Sequence, residues 1–205
     1  MANTEEALRL LLAQRAVIRG RITLSSGAVS EYYFDCKRVM LSADGAPLVS
    51  EVVLEAIKKM PERPRAIGGL THGADPIISA VMMKAAEQGL RLDGFYVRKE
   101  PKKHGTQRLI ENAPAAGTPV VIVDDVVTKG GSVVKAIEGA ESAGCRVVGV
   151  IVLVDRREGG AEVIRAKVPD AQYVGIFTLE DFLDIDEIRR EWNKNSAQPS
   201  PAASI

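Results

Sequence analysis

The chain has 205 residues, 46% hydrophobic and 26% charged, with 27 Lys and Arg set against 27 Asp and Glu. That size suits one α/β domain around a single core, and the balance argues against a disordered chain, a collagen-like repeat or a strongly basic nucleic-acid binder. The longest apolar run, Val147 to Val154, is eight residues, far short of the roughly 18 that span a bilayer.

Glu5 and Glu6 stand where a secretory signal carries positive charge, so the N-terminus reads as a helix and the expected location is cytoplasmic. Cys36 and Cys145 fit a reducing compartment better than a disulfide framework. With only His72 and His104 besides, a zinc site is not expected.

Asn3 or Thr4 offers an N-cap, and apolar residues at helical spacing from Leu8 to Ile18 predict an amphipathic helix over 3–17, ending before Gly20. Alternation around Ser25-Ser26-Gly27 predicts short strands at 21–24 and 30–36. Pro47 to Lys59 reads as a second amphipathic helix. Apolar runs then alternate with helical segments: a strand at 66–70, a helix at 76–88, strands at 92–97 and 120–125, a helix at 132–143, and strands at 146–155 and 173–177. Such continuously apolar strands are buried on both faces, as in a mostly parallel sheet flanked by helices. Ligands of such folds lie beyond the carboxyl ends of the strands. A last helix is predicted at 184–192, and the Ser, Ala and Pro-rich segment 193–205 is expected to be disordered.

Residues 120–132, VVIVDDVVTKGGS, carry the most chemistry. An apolar strand brings Asp124 and Asp125 to its end, and Val126, Val127, Thr128, Lys129, Gly130 and Gly131 lead into a helix opened by Ser132. A glycine turn before a helix N-terminus points several N–H groups one way, and the helix dipole adds positive potential, which together make a phosphate cradle. Neither a Walker A loop nor a dinucleotide G-x-G-x-x-G is present. Two carboxylates beside a phosphate site need another object, such as sugar hydroxyls or a divalent cation shared with the phosphates. A phosphorylated ribose meets both demands. Residues 98–104 add four cations, Arg98, Lys99, Lys102 and Lys103, against one acid, Glu100. This basic segment follows a buried-type strand and suits a diphosphate.

The order of apolar strand, Asp-Asp, two residues, Thr, one residue and Gly-Gly-Ser resembles the phosphoribosyl pyrophosphate motif of type I phosphoribosyltransferases. RKEPKKHG (98–105) and VDRREGG (154–160) are similar to the mobile catalytic loop and the Asp-Arg-x-Glu-x-Gly segment of the orotate phosphoribosyltransferases within that family. TLSSG (23–27), EYYF (31–34) and GLTHGADPI (69–77) extend the likeness over about 20–183. The resemblance implies a type I phosphoribosyltransferase-like α/β fold. It has a mostly parallel central sheet flanked by helices, a small N-terminal hood over about 1–45 and a mobile catalytic loop, in one domain of residues 1–192.

The implied reaction is displacement of diphosphate from phosphoribosyl pyrophosphate (PRPP) by a ring nitrogen of orotate, giving orotidine 5′-phosphate, with Mg²⁺ as cofactor. By the same likeness, Arg98, Lys99, Lys103 and His104 bind the diphosphate, while Lys102 and the loop tip reach into the neighbouring subunit of a homodimer, with 98–110 completing that site. Counting Arg-Lys-Glu-x-Lys-x-His places the family's lysine on Lys102, so Lys102, His104 and Asp125 are the expected catalytic residues. Asp124 to Ser132 hold the donor, Mg²⁺ is bound mainly through substrate with Asp124 and Asp125 reached through water, and Thr128, Arg156, Tyr33 and Phe34 take orotate. Ser25 stands where some relatives have lysine, and the turn from Thr71 to Asp75, with Asp75 as helix cap, offers backbone amides in place of another. Two rivals remain: a phosphoribosyltransferase for another nucleobase, and a non-catalytic PRPP-sensing regulator.

Overall fold

A computed structural model describes residues 2–23, 29–100 and 109–196. In chain order these form α1 (Ala2–Arg15), β1 (Val17–Thr23), β2 (Val29–Phe34), α2 (Lys37–Met40), α3 (Gly45–Lys58), β3 (Ala66–Leu70), α4 (Asp75–Glu87), β4 (Asp93–Val97), β5 (Ile110–Glu111), β6 (Pro119–Val127), α5 (Gly131–Ser142), β7 (Arg146–Asp155), α6 (Gly160–Lys167), β8 (Gln172–Thr178), a 3₁₀ turn (Leu179–Phe182) and α7 (Ile185–Ser196). The central sheet runs β5-β4-β3-β6-β7-β8. Its β3, β4, β6, β7 and β8 are parallel, and the two-residue β5 is antiparallel to β4.

Side chains on a strand alternate between faces, and β6 shows why its run is apolar throughout. Val121 and Val123 join the core under α1, α3 and α4, while Val120 and Ile122 join the one under α5 and α6. From β3 the chain goes outward to β4, then returns to β6 on the other side of β3. That reversal of strand order opens a crevice between the carboxyl ends of β3 and β6, where doubly wound sheets bind ligands.

α1, α2 and the β1–β2 pair lie within the first 45 residues, and α7 closes against them. Arg189 of α7 donates to the carbonyls of Ala13 (3.1 Å) and Val17 (2.8 Å). β1 begins at Val17, inside the segment expected to be helix, because Gly20 sits at a register shift between Arg19 and Ile22 and bulges a strand instead of ending a helix. α7 continues to Ser196, four residues into the segment expected to be disordered, since no Pro or Gly occurs before Pro199; 197–205 lie outside the described residues. α2, β5 and α6 were not expected, being two to eight residues long.

Phe34 corrects the aromatic expectation. It is 5% exposed and meets Phe182 edge to face at 5.3 Å between centroids, and Phe182 in turn meets Phe177 at 5.9 Å. Such a ring is core and offers no platform for a ligand, whereas its neighbour Tyr33 is 40% exposed. Strand alternation puts consecutive rings on opposite faces. Phe34→Ala is therefore expected to cost about 3–5 kcal/mol of stability by denaturant titration, and Tyr33→Ala under about 1 kcal/mol. Equal losses would contradict the placement.

Candidate active site

Asp124 and Asp125 lie within β6, not beyond it. Asp124 pairs with Val152, and the strand continues through Val126 and Val127 against Val154 and Asp155 of β7. The turn preference of Asp-Asp gives way here because two valines follow and have strand partners. Asp124 is buried, and its Oδ1 accepts the N–H of Asp125 at 3.0 Å. Burial, and then the charge of Asp125, push its carboxyl well above the usual range. Asp125 is less enclosed. Its Oδ1 accepts the N–H of Val126 at 2.9 Å, and its Oδ2 takes Lys37 Nζ at 2.9 Å.

The β3–α4 turn closes over this pair. A side chain at Gly73 would collide with Oδ1 of Asp124 and lie 2.8 Å from Oδ1 of Asp125, so only glycine allows the turn to approach. Asp75 is not the helix cap that was expected. Ala74 takes that place, with Asp75 in the first turn and its carboxylate 3.6 Å from His72 Nδ1. Burial raises the Asp75 carboxyl above its ordinary value.

The segment 128–131 forms the glycine turn expected, and α5 begins at Gly131, one residue before Ser132. Gly130, at φ 80°, caps the helix, and its carbonyl accepts the N–H of Val134 at 2.9 Å. The N–H groups just before that bond have no acceptor within the helix, which suits an anion. The turn is braced from the β7–α6 side. Val127 accepts the N–H of Arg156 at 3.0 Å, and Lys129 Nζ donates to the Glu158 carbonyl at 3.0 Å. Gly160, opening α6, presses so closely that a Cβ there would overlap Val127 and lie within 2.9 Å of Gly130 N.

Arg156 stands at the same sheet edge, buried, with Nη2 2.8 Å from Glu158 Oε1. Asp155 beside it accepts from Arg157 N and from the Tyr173 hydroxyl, both at 2.8 Å. Arg98 is at the base of the basic loop. Its N–H reaches the Leu109 carbonyl at 2.9 Å and its guanidinium meets Glu111 at 3.2 Å, and Lys99 is exposed. Lys102, Lys103, His104 and Ser25 lie outside the described residues. The structure thus brings together Asp124, Asp125, the 128–132 turn and the Gly73 turn, with Arg156 bonded to the end of β6. Sequence reasoning missed Lys37, 88 positions from Asp125, because no motif links them.

Asp124 carries a dependence on pH. Its carboxyl pKa is raised on folding, so between the ordinary value near 4 and the raised one the folded chain holds a proton that the unfolded chain has released. Stability then falls as pH rises through that window. Asp124→Asn removes the titration. The variant is expected to melt several degrees above the parent at neutral pH, with the difference closing toward pH 4; a gap independent of pH would contradict this origin.

The phosphoribosyl transferase domain family matches residues 49–182. An orotate phosphoribosyltransferase of Sorangium cellulosum is 44% identical over 184 residues, 89% of this chain and 94% of that protein. Among solved structures, Mycobacterium tuberculosis orotate phosphoribosyltransferase in complex with Fe(III) dicitrate superposes with a TM-score of 0.76 at 36% identity, covering 88% of this chain and 99% of the other. The same enzyme in complex with PRPP gives 0.72 at 34%, covering 87% and 98%. With the strand, the acid pair and the glycine turn in one crevice, and likeness over nearly the whole length of these proteins, the chain belongs to the orotate phosphoribosyltransferases of the phosphoribosyl transferase family.

Proposed function

We propose that the protein transfers the phosphoribosyl group of PRPP to orotate, forming orotidine 5′-phosphate and diphosphate in pyrimidine nucleotide synthesis. The observation that carries this reading is the glycine turn at 128–131, held by the β7–α6 segment, immediately after two carboxylates at the switch point of the sheet. The C1–O bond to diphosphate breaks, a ring nitrogen of orotate bonds to C1, and that nitrogen gives up its proton. Positive charge develops on the ribose, and negative charge on the leaving diphosphate. Thr128 to Ser132 bind the 5′-phosphate, fixing the sugar against Asp124 and Asp125, which accept from its hydroxyls. Arg98, Lys99, Lys102 and His104 take up the leaving diphosphate. Arg156, steadied by Glu158, reads the carboxylate of orotate through its planar fork. Thr128 contacts the pyrimidine, with Tyr33 stacking on the ring. Positioning of two anions and exclusion of water supply most of the acceleration.

Among the described residues no group of three or more His, Cys, Asp or Glu could hold a metal. Two adjacent carboxylates fit an ion that takes its remaining ligands from water and substrate oxygens, as magnesium does. Asp124 and Asp125 would hold it through water, and when bound it neutralises diphosphate charge. Two buried free cysteines, Cys36 and Cys145, fit a reducing cytoplasm. Among the described residues no helix is long and apolar enough to cross a membrane.

Incubation with PRPP, Mg²⁺ and each of orotate, uracil, adenine and hypoxanthine should yield nucleotide from orotate alone; no turnover of orotate would refute the reading. In a homodimer whose loop serves the neighbouring site, Lys102→Ala and Asp125→Asn should each lower turnover by about 100-fold or more. Mixing them should restore activity through hybrid sites. No recovery despite demonstrated subunit exchange would rule out loop sharing.

A further inference from the structure

Lys37 lies on α2, a single helical turn that the chain fixes before the side chain begins. The Asp35 N–H reaches the Ala16 carbonyl at 2.9 Å, Met40 N–H reaches Cys36 at 2.8 Å, and Leu41 N–H reaches Lys37 at 3.0 Å. Cys36, Val39 and Met40 are buried. From this anchored base Nζ crosses to Asp125 Oδ2 at 2.9 Å. With Val126 N–H on Oδ1 at 2.9 Å, both oxygens of Asp125 are held and the carboxylate cannot rotate freely.

Among the described residues, the charges that act on Lys37 are acidic. Asp35 and Asp125 act on it from its own turn and from β6, and it acts in turn on Asp75 of α4 and Asp124 of β6. Among the described residues, this ammonium therefore acts on Asp35, Asp125 and Asp124, and with His72 on Asp75, at the mouth of the crevice that the transferase reading gives to a polyanion. Burial opposes its charge, but the hydrogen bond and charge of Asp125 outweigh that and lift its pKa above the ordinary value. An ammonium has three N–H donors; one goes to Asp125, and the side chain is 44% exposed.

Resting on the transferase reading above, we propose that Lys37 is a positioning residue: it fixes the Asp125 carboxylate for the ribose hydroxyls and supplies the cation that lets the acid pair coexist with the anionic donor. A brace between hood and sheet would use the same ion pair, so the test must separate the two. Lys37→Met and Lys37→Arg are compared with the parent in steady-state kinetics, in calorimetric titration with PRPP without orotate, and in thermal melting. For Lys37→Met, kcat should fall about 10- to 100-fold, as expected when a reacting partner is misplaced by around an ångström. Its Kd for PRPP should rise about tenfold, while KM for orotate and the melting temperature stay near parental values. Lys37→Arg, which keeps the charge, should recover most of both losses. A Lys37→Met protein with kcat and PRPP Kd within about twofold of the parent would overturn the proposal. So would losses that track a lowered melting temperature and are not recovered by arginine. If the parent fails to use orotate, the transferase reading falls, and the PRPP titration still decides whether Lys37 serves the acid pair.

Discussion

Two neighbouring carboxylates, one of them buried, face a crevice whose next feature along the chain is a glycine turn with the open N–H groups of a helix N-terminus. The rest of the structure is organised around that conflict of charge. Left alone, Asp124 and Asp125 repel each other and any phosphate that approaches; Asp124 answers by favouring its protonated form, and Asp125 by pairing with Lys37 at 2.9 Å. Negative charge is thus confined to one point, and the backbone N–H groups of the 128–131 turn follow within a few residues. The formal charge of zero for the chain conceals this separation.

Precision at the site comes from topology. The reversal of strand order at β3 and β6 leaves room for two turns to converge, and two glycines set how close they come. Gly73 lets the β3–α4 turn rest on the acid pair, while Gly160 lets α6 press on the 128–131 turn. Hydrogen bonds from Arg156 N–H to Val127 and from Lys129 to Glu158 tie the β6 and β7 loops into one unit. Arg156 is built into that same unit, so the group assigned to the orotate carboxylate and the groups assigned to the donor phosphate share a support. Rigid sharing of this kind favours a fixed distance between two bound anions.

Much of this was legible in the sequence where the signal is local. The strand at 66–70 coincides with its apolar run, and the strand at 146–155 reaches one residue beyond its run at each end, to Arg146 and Asp155, because strands buried on both faces are apolar through their length. The acid pair and glycine turn were readable for the same reason, as chemistry packed into thirteen consecutive residues. What could not be read is non-local. Tyr33 and Phe34 look alike in sequence, and only the arrival of Phe182, nearly 150 positions later, makes one of them core. α6 was hidden behind Gly159 and Gly160, which read as loop although they cap and open a helix. Lys37 carries no motif and gains its place from the fold of the hood.

The central claim is that the acid pair holds the sugar while the following turn holds the phosphate. A crystal structure of the protein with PRPP and Mg²⁺ bound tests it most directly. The account predicts the 5′-phosphate on the N–H groups of 129–132 and the ribose hydroxyls on Asp124 and Asp125, with Lys37 still on Asp125. A donor seated away from β6, or one turned so that its diphosphate occupies the 128–132 turn, would contradict it.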